Sequence, residues 1–83
     1  MDRFQAMKVF MGVVEANSFT RAADNLGLPR ATVTTTIQGL EGLLKTRLLN
    51  RTTRSVSLTP DGAAYYERCA RILNDLEETE AAF

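Results

Sequence analysis

The sequence contains no histidine, no tryptophan and one cysteine, Cys69, and each scarcity removes a class of chemistry. One thiol and no imidazole cannot assemble a disulfide framework or a standard zinc site within the chain. No cofactor and no metal is therefore expected. Only two prolines, Pro29 and Pro60, interrupt the backbone, so long helices are permitted over most of the chain. Long apolar runs are missing too, and Met1-Asp2-Arg3-Phe4 lacks the charged-then-apolar layout of a signal peptide. Neither export nor membrane insertion is indicated, and a reducing cytoplasm is the expected compartment. Charge of one sign is the last absence: ten basic and ten acidic residues leave a net charge of zero.

What is present is the composition of a folded domain, with 45% apolar and 24% charged residues in 83 positions. So short a chain forms one compact unit and, without cross-links, needs close helix packing or a partner subunit. The charges that cancel in total are segregated along the chain. Residues 1–27 hold three basic and three acidic side chains, residues 28–55 five and one, and residues 56–83 two and six. The middle is basic through Arg30, Lys45, Arg47, Arg51 and Arg54, and the end is acidic through Asp61, Glu67, Asp75, Glu77, Glu78 and Glu80. Such a molecule presents one cationic side to a polyanion.

Apolar periodicity predicts four helices. Met7, Phe10, Met11 and Val14 place the first over residues 4–16. Ser18 is the predicted N-cap of a second over 19–26, with Phe19, Ala22, Ala23 and Leu26 inward and Gly27 ending it. A third, over 30–44, has Val33, Ile37, Leu40 and Leu44 as its core stripe; Pro29 stands at its first turn. Two β-prone runs, 47–50 and 56–58, flank a polar turn and predict a hairpin. Thr59-Pro60-Asp61 then opens a fourth helix with a threonine cap, proline in the first turn and an acid near the positive helix end. Along it Tyr66, Cys69, Leu73, Leu76 and Phe83 follow a 3-4 spacing broken once by Glu80, the pattern of a coiled-coil seam. Residues 1–59 thus predict a mainly α winged helix-turn-helix, three helices plus a two-stranded wing, and residues 60–83 a long linker and dimerisation helix.

Advancing about 100° per residue from Val33 turns Ala31, Thr35 and Gln38 outward on the third helix, with Thr32 and Thr34 on the flanks. Threonine pairs with bases or phosphates and packs its methyl on thymine, glutamine pairs with adenine, and Arg30 is the candidate for guanine. A polar helix face followed by an arginine-bearing hairpin fits a helix in the major groove with the wing alongside.

Ser18-Phe19-Thr20-Arg21-Ala22-Ala23, Leu26, Ala31-Thr32-Val33-Thr34, Ile37, Leu40-Glu41, Leu48 and Leu58-Thr59-Pro60-Asp61-Gly62, in this order and spacing, closely resemble the N-terminal domain of LysR-type transcriptional regulators. The resemblance covers essentially the whole chain. It implies a bacterial regulator, dimeric or tetrameric, whose small-molecule effector binds a separate C-terminal domain outside these residues. It carries base-contact roles to Pro29, Arg30, Ala31, Thr32, Thr34 and Thr35. Backbone or minor-groove roles fall to Thr20, Arg21, Gln38, Arg51, Thr52 and Arg54. The chain departs from the family where many members have Ser-Gln-Pro in place of Pro29-Arg30-Ala31, arginine in place of Thr35 and phenylalanine in place of Leu49. The fold tolerates these changes, but a target sequence does not transfer.

The expectation is a nucleoid-associated homodimer that binds double-stranded DNA through helix 3 and the wing, paired through helix 4. The zero net charge keeps a protein-interaction module as the alternative. An enzyme is disfavoured, since no histidine is available and no carboxylate pair faces a cleft.

Overall fold

A computed structural model describes residues 2–51 and 55–83 of the chain. Its elements run α1 (Arg3–Ala16), α2 (Phe19–Leu26), α3 (Arg30–Leu44), β1 (Leu49–Arg51), β2 (Val56–Leu58) and α4 (Pro60–Ala81). The mainly helical winged helix-turn-helix expected from periodicity is the fold observed. Three of the four helix starts are fixed by a local side-chain cap, α3 being the exception. Asp2 accepts from the Gln5 amide at 3.1 Å, Ser18 from Arg21 at 3.1 Å and Thr59 from Gly62 at 2.9 Å, each satisfying an amide the helix itself leaves open. Gly27 ends α2 in the left-handed conformation at φ 67°, and its N–H reaches back to Ala23 and Asp24. Asn17 and Lys45 end α1 and α3 in the same conformation, at φ 52° and 55°.

α1 is the central element, touching α2, α3, α4 and β2. The predicted stripe of Met7, Phe10, Met11 and Val14 was therefore too narrow. Ala6, Val9 and Val13 are also buried, whereas Met11 and Val14 are only half-covered. A helix wrapped on several sides buries a broader arc than one resting on a single neighbour. Val33, Ile37 and Leu40 of α3 complete the core with Ala22, Ala23, Leu48 and Leu49, whereas Leu44, expected in the same stripe, is exposed because it ends the helix beyond the reach of that core. Each fully buried large side chain among these contributes about 1.5–3 kcal/mol by leaving water. The alanine pair lets α2 approach closely, as the tight helix-turn-helix requires.

The hairpin is antiparallel, pairing Leu49 with Leu58, Asn50 with Ser57 and Arg51 with Val56. Its first strand begins two residues later than the β-prone run suggested. Arg47 and Leu48 are engaged elsewhere: the Arg47 carbonyl accepts from the Thr59 hydroxyl at 2.6 Å and the Leu48 carbonyl from the Thr59 amide at 3.0 Å. Gly62 sits against that same carbonyl so closely that a Cβ would lie 1.9 Å from it. The start of α4 is thereby locked to the chain between α3 and the wing.

The seam expected on α4 needs correction. Cys69 has no exposed surface and belongs to the domain's own core, and Tyr66 packs on that core with its hydroxyl donating to Glu15 at 2.9 Å. Both rings of the Tyr65-Tyr66 pair stand near Phe10, with centroids 5.4 and 6.4 Å away. Leu73 is half-buried beside Met11, Gly12 and Leu26. The large apolar residues left open along α4 are Ile72 and Leu76, and Phe83, expected in the seam, is exposed beyond the end of the helix at Ala81. With 22 residues α4 is about 33 Å long, and it extends a molecule measuring 44 × 27 × 21 Å. Among the described residues no helix is long and apolar enough to cross a membrane.

Candidate nucleic-acid interface

Three pieces of backbone form the candidate surface: the start of α2, the outer face of α3 and the first strand of the wing. On α3, burial of Val33, Ile37 and Leu40 fixes the rotation of the helix, so Arg30, Ala31, Thr32, Thr35 and Gln38 are exposed. Thr34 and Thr36 are half-buried on the flanks. Thr36 donates its hydroxyl to the Thr32 carbonyl at 2.7 Å, which turns its hydrogen-bonding capacity back onto the helix. Ala31, Thr32, Thr35, Thr36 and Gly39 together line a shallow, open and mainly apolar concavity of about 470 Å³. A helix surface of small side chains permits close approach of another molecule, and its threonine hydroxyls supply hydrogen bonds there.

Pro29 occupies the N-cap position of α3 in an extended conformation, φ −61° and ψ 144°, rather than the first helical turn. Proline offers no side-chain acceptor, so the amides at this helix start have no side-chain cap. The positive end of the helix dipole and the Arg30 side chain occupy the same end of α3, an arrangement that favours an anion.

At the neighbouring α2 start, Thr20 and Arg21 are exposed. Phe19 beside them is almost fully buried, yet its ring carries the Arg51 guanidinium at 4.5 Å from the centroid. The wing's first strand is thus fastened to the helix-turn-helix by a cation–π contact. Arg51, on the strand, presents charge beside α2. The other wing positions singled out from sequence, Thr52 and Arg54, lie outside the described residues.

Three contributions escaped the sequence reading. Phe19 was assigned only to the core, and nothing in its spacing signals that its ring faces Arg51. Ile72 was omitted from the α4 surface because it stands one residue outside the 3-4 spacing. Glu41 was assigned no contact, although its Oε2 accepts from the Leu48 amide at 2.8 Å and the Leu49 amide at 3.2 Å. A signal existed for it: Glu41 is the lone acid in the basic middle third of the chain.

Titration is perturbed on the covered side of α4, away from the exposed face of α3. Burial and the neighbouring Cys69 push the Tyr65 hydroxyl from its ordinary 10.0 to about 12. Tyr66 is raised by the hydrogen bond it donates to Glu15. Burial also raises Cys69, opposing formation of the reactive thiolate. Among the described residues no cluster of three or more potential metal ligands occurs.

Comparison with known proteins accords with this architecture. Residues 4–63 match the family described as bacterial regulatory helix-turn-helix protein, lysR family. An HTH-type transcriptional repressor of Pseudomonas aeruginosa is 54% identical over 81 residues, which are 98% of this chain and 26% of that protein. The chain therefore spans about a quarter of the length of such a relative. Among solved structures, the BenM_DBD/catB site 1 DNA complex superposes with a TM-score of 0.93 at 33% identity, covering 99% of this chain and 90% of that one. The CbnR_DBD–DNA complex does so with 0.92 at 33% identity, covering 99% and 93%. With residues 4–63 matched by the family and nearly the whole chain superposing on two of its structures, the chain belongs to the lysR family of bacterial regulatory helix-turn-helix proteins.

Proposed function

We propose that this chain binds double-stranded DNA sequence-specifically, as part of a cytoplasmic transcriptional regulator. α3 lies in the major groove, and the wing follows the flanking backbone or minor groove. The observation that carries the reading is the α3 surface: a rigidly oriented face of Arg30, Ala31, Thr32, Thr35 and Gln38 is exposed next to exposed cations. Thr52 and Arg54 are assigned to the flanking contacts from their place in the polar turn of the sequence, Arg54 also by the resemblance. The superposition on two DNA-bound domains supports the same placement. The relatives are regulators, which supports a binding role rather than a catalytic one.

The chain acts as a homodimer, with two copies setting the distance between two α3 helices along the duplex. The interface is formed by the exposed apolar residues Ile72 and Leu76 of α4 and Phe83 beyond its end, with Leu44 beside Ile72 and Leu43 next to it. A small-molecule effector belongs to a further domain of the whole regulator, and tetramer assembly to that longer protein.

Selection of bound duplexes from a random pool, followed by sequencing, tests the reading at low and at physiological salt. An enriched, near-palindromic motif is expected, with affinity falling steeply as salt rises because phosphate contacts release counterions. Binding that is insensitive to salt, or absent at both salts, refutes it in favour of a protein-interaction module.

A further inference from the structure

We infer that Glu41 is a positioning residue for DNA readout, a carboxylate that fixes the angle between α3 and the wing without touching DNA itself. The inference rests on the DNA-binding reading above and deepens it.

Glu41 serves the chain through both its backbone and its side chain. Its carbonyl accepts from the amides of Lys45, in the left-handed cap, and of Thr46 at 3.2 Å, closing the last turn of α3. Its side chain reaches past that turn, where one carboxylate oxygen holds the Leu48 amide at 2.8 Å and the Leu49 amide at 3.2 Å. Those two residues are the entry to the wing, and both are almost fully buried. Their amides need acceptors, and the hairpin cannot supply both. The Leu48 amide precedes β1, which begins at Leu49. A negative oxygen receiving two N–H groups is stronger and more directional than two water contacts.

The geometric consequence lies at the DNA surface. Glu41 stands on the same helix as the exposed reading residues, and Leu49 is two residues from Arg51. Rotation or tilt of α3 therefore carries the base of the wing with it. Phe19 beneath Arg51 supplies a second fastening, from the α2 side. If the carboxylate is lost, α3 remains seated on Val33, Ile37 and Leu40, but the wing entry loses its charged anchor. Base reading should persist while flanking contacts loosen.

A double-mutant cycle in DNA binding tests this. Glu41→Ala is measured in the unaltered chain and in a background carrying Arg51→Gln and Arg54→Gln, which removes the wing cations. The duplex is the one selected as described above, titrated over a salt series. In the unaltered chain Glu41→Ala is expected to weaken binding about tenfold and to reduce the steepness of log K against log salt by about one to two, as one or two phosphate contacts are lost. In the background without wing arginines it should change affinity less than about twofold, because coupled sites are not additive. Amide exchange at Leu48 and Leu49 should quicken, and Glu41→Gln, whose amide oxygen can still accept, should restore most of the affinity.

Equal losses on both backgrounds, with an unchanged salt slope, overturn the positioning role and leave Glu41 a general stabiliser. Failure of the unaltered chain to retain any duplex overturns the DNA-binding reading and the inference together. Should Glu41→Ala not fold, Glu41→Asp, one methylene short of the two amides, replaces it in the same cycle, and coupled or equal losses decide the inference in the same way.

Discussion

α3 and α4 are both amphipathic helices with clear apolar spacing, yet the spacing located the buried face of one and misplaced that of the other. α3 packs on α1 and α2, so a single stripe, Val33, Ile37 and Leu40, points into a single core. α4 is different because its surroundings change along its length. Taking Cys69 as zero and about 100° per residue, Tyr66 and Leu73 lie near +40° to +60°, and Tyr65, Ile72 and Leu76 near −20° to −60°. One edge of this broad stripe is covered by the domain, and the distal part of the other is open. A heptad reading averages the two. Periodicity therefore reports that a helix has a wet and a dry side, and it cannot report which neighbour keeps each part dry.

The largest effect is expected where the two regions meet. Gly62→Ala would drive a Cβ to 1.9 Å from the Leu48 carbonyl oxygen, a backbone atom that cannot swing aside. The loss should reach about 3 kcal/mol or more, the upper end for overpacking. Urea denaturation measures it, and a loss below about 1 kcal/mol would show that α4 can shift off the wing entry without consequence. By contrast Gly42→Ala on exposed α3, where nothing lies within 4 Å of the added carbon, should stabilise the chain by up to about 1 kcal/mol.

A second variant separates propensity from function on α3. Thr35→Glu puts a better helix former on an exposed position and should leave the melting temperature unchanged or slightly higher. It also sets a negative charge toward phosphate, so affinity for the selected duplex should fall about tenfold to a hundredfold, comparable to losing a specific contact. Unaltered affinity with unaltered stability would remove Thr35 from the interface and break the assignment of α3 as the reading element.

On α4 the contrast is between neighbours on the stripe. Cys69→Ser puts a more strongly hydrated group into a fully buried site where the thiol has the Tyr65 hydroxyl as its hydrogen-bond partner, and should cost about 1–2 kcal/mol of stability. Ile72→Glu with Leu76→Glu changes exposed positions. It should alter the stability of the monomer by less than about 0.5 kcal/mol per site, as surface changes do. The paired change should instead abolish self-association in sedimentation. A persistent dimer would place the interface elsewhere.

Much of this was legible in the sequence, and the unread part has common physical causes. Ser18, Gly27 and Thr59 act within their own few residues, so their capping roles can be read from local chemistry, and both boundaries of α2 and the start of α4 follow. The outward face of α3 was legible because one rotation angle fixes it. The entry to β1 was not, because Leu48 is claimed by Glu41 and Thr59, seven and eleven residues away. Phe19 and the Arg51 above it stand 32 positions apart in the chain, and their contact leaves no local trace. Contacts closed by tertiary packing of loops are invisible to a pattern that repeats every turn.

The smallest effect concerns pH and comes from the covered half of α4. Tyr65 holds its proton to about pH 12 in the folded chain against 10.0 when unfolded, mainly because burial disfavours the phenolate. Below pH 10 both states are protonated, and the group adds no pH dependence. Between about pH 10 and 12 the unfolded chain releases the proton first, so it binds fewer protons than the folded one and stability falls as pH rises. Cys69, raised from 9.0 by burial, acts with the same sign and starts earlier. Thermal melts from pH 8 to 11 should therefore show a declining midpoint from about pH 9. Tyr65→Phe keeps the ring 5.4 Å from Phe10 while removing the titrating group, and it should flatten the upper part of that decline. The same slope in Tyr65→Phe would mean that the phenol reaches water in the folded state, and that even the covered half of α4 is held less closely than α3.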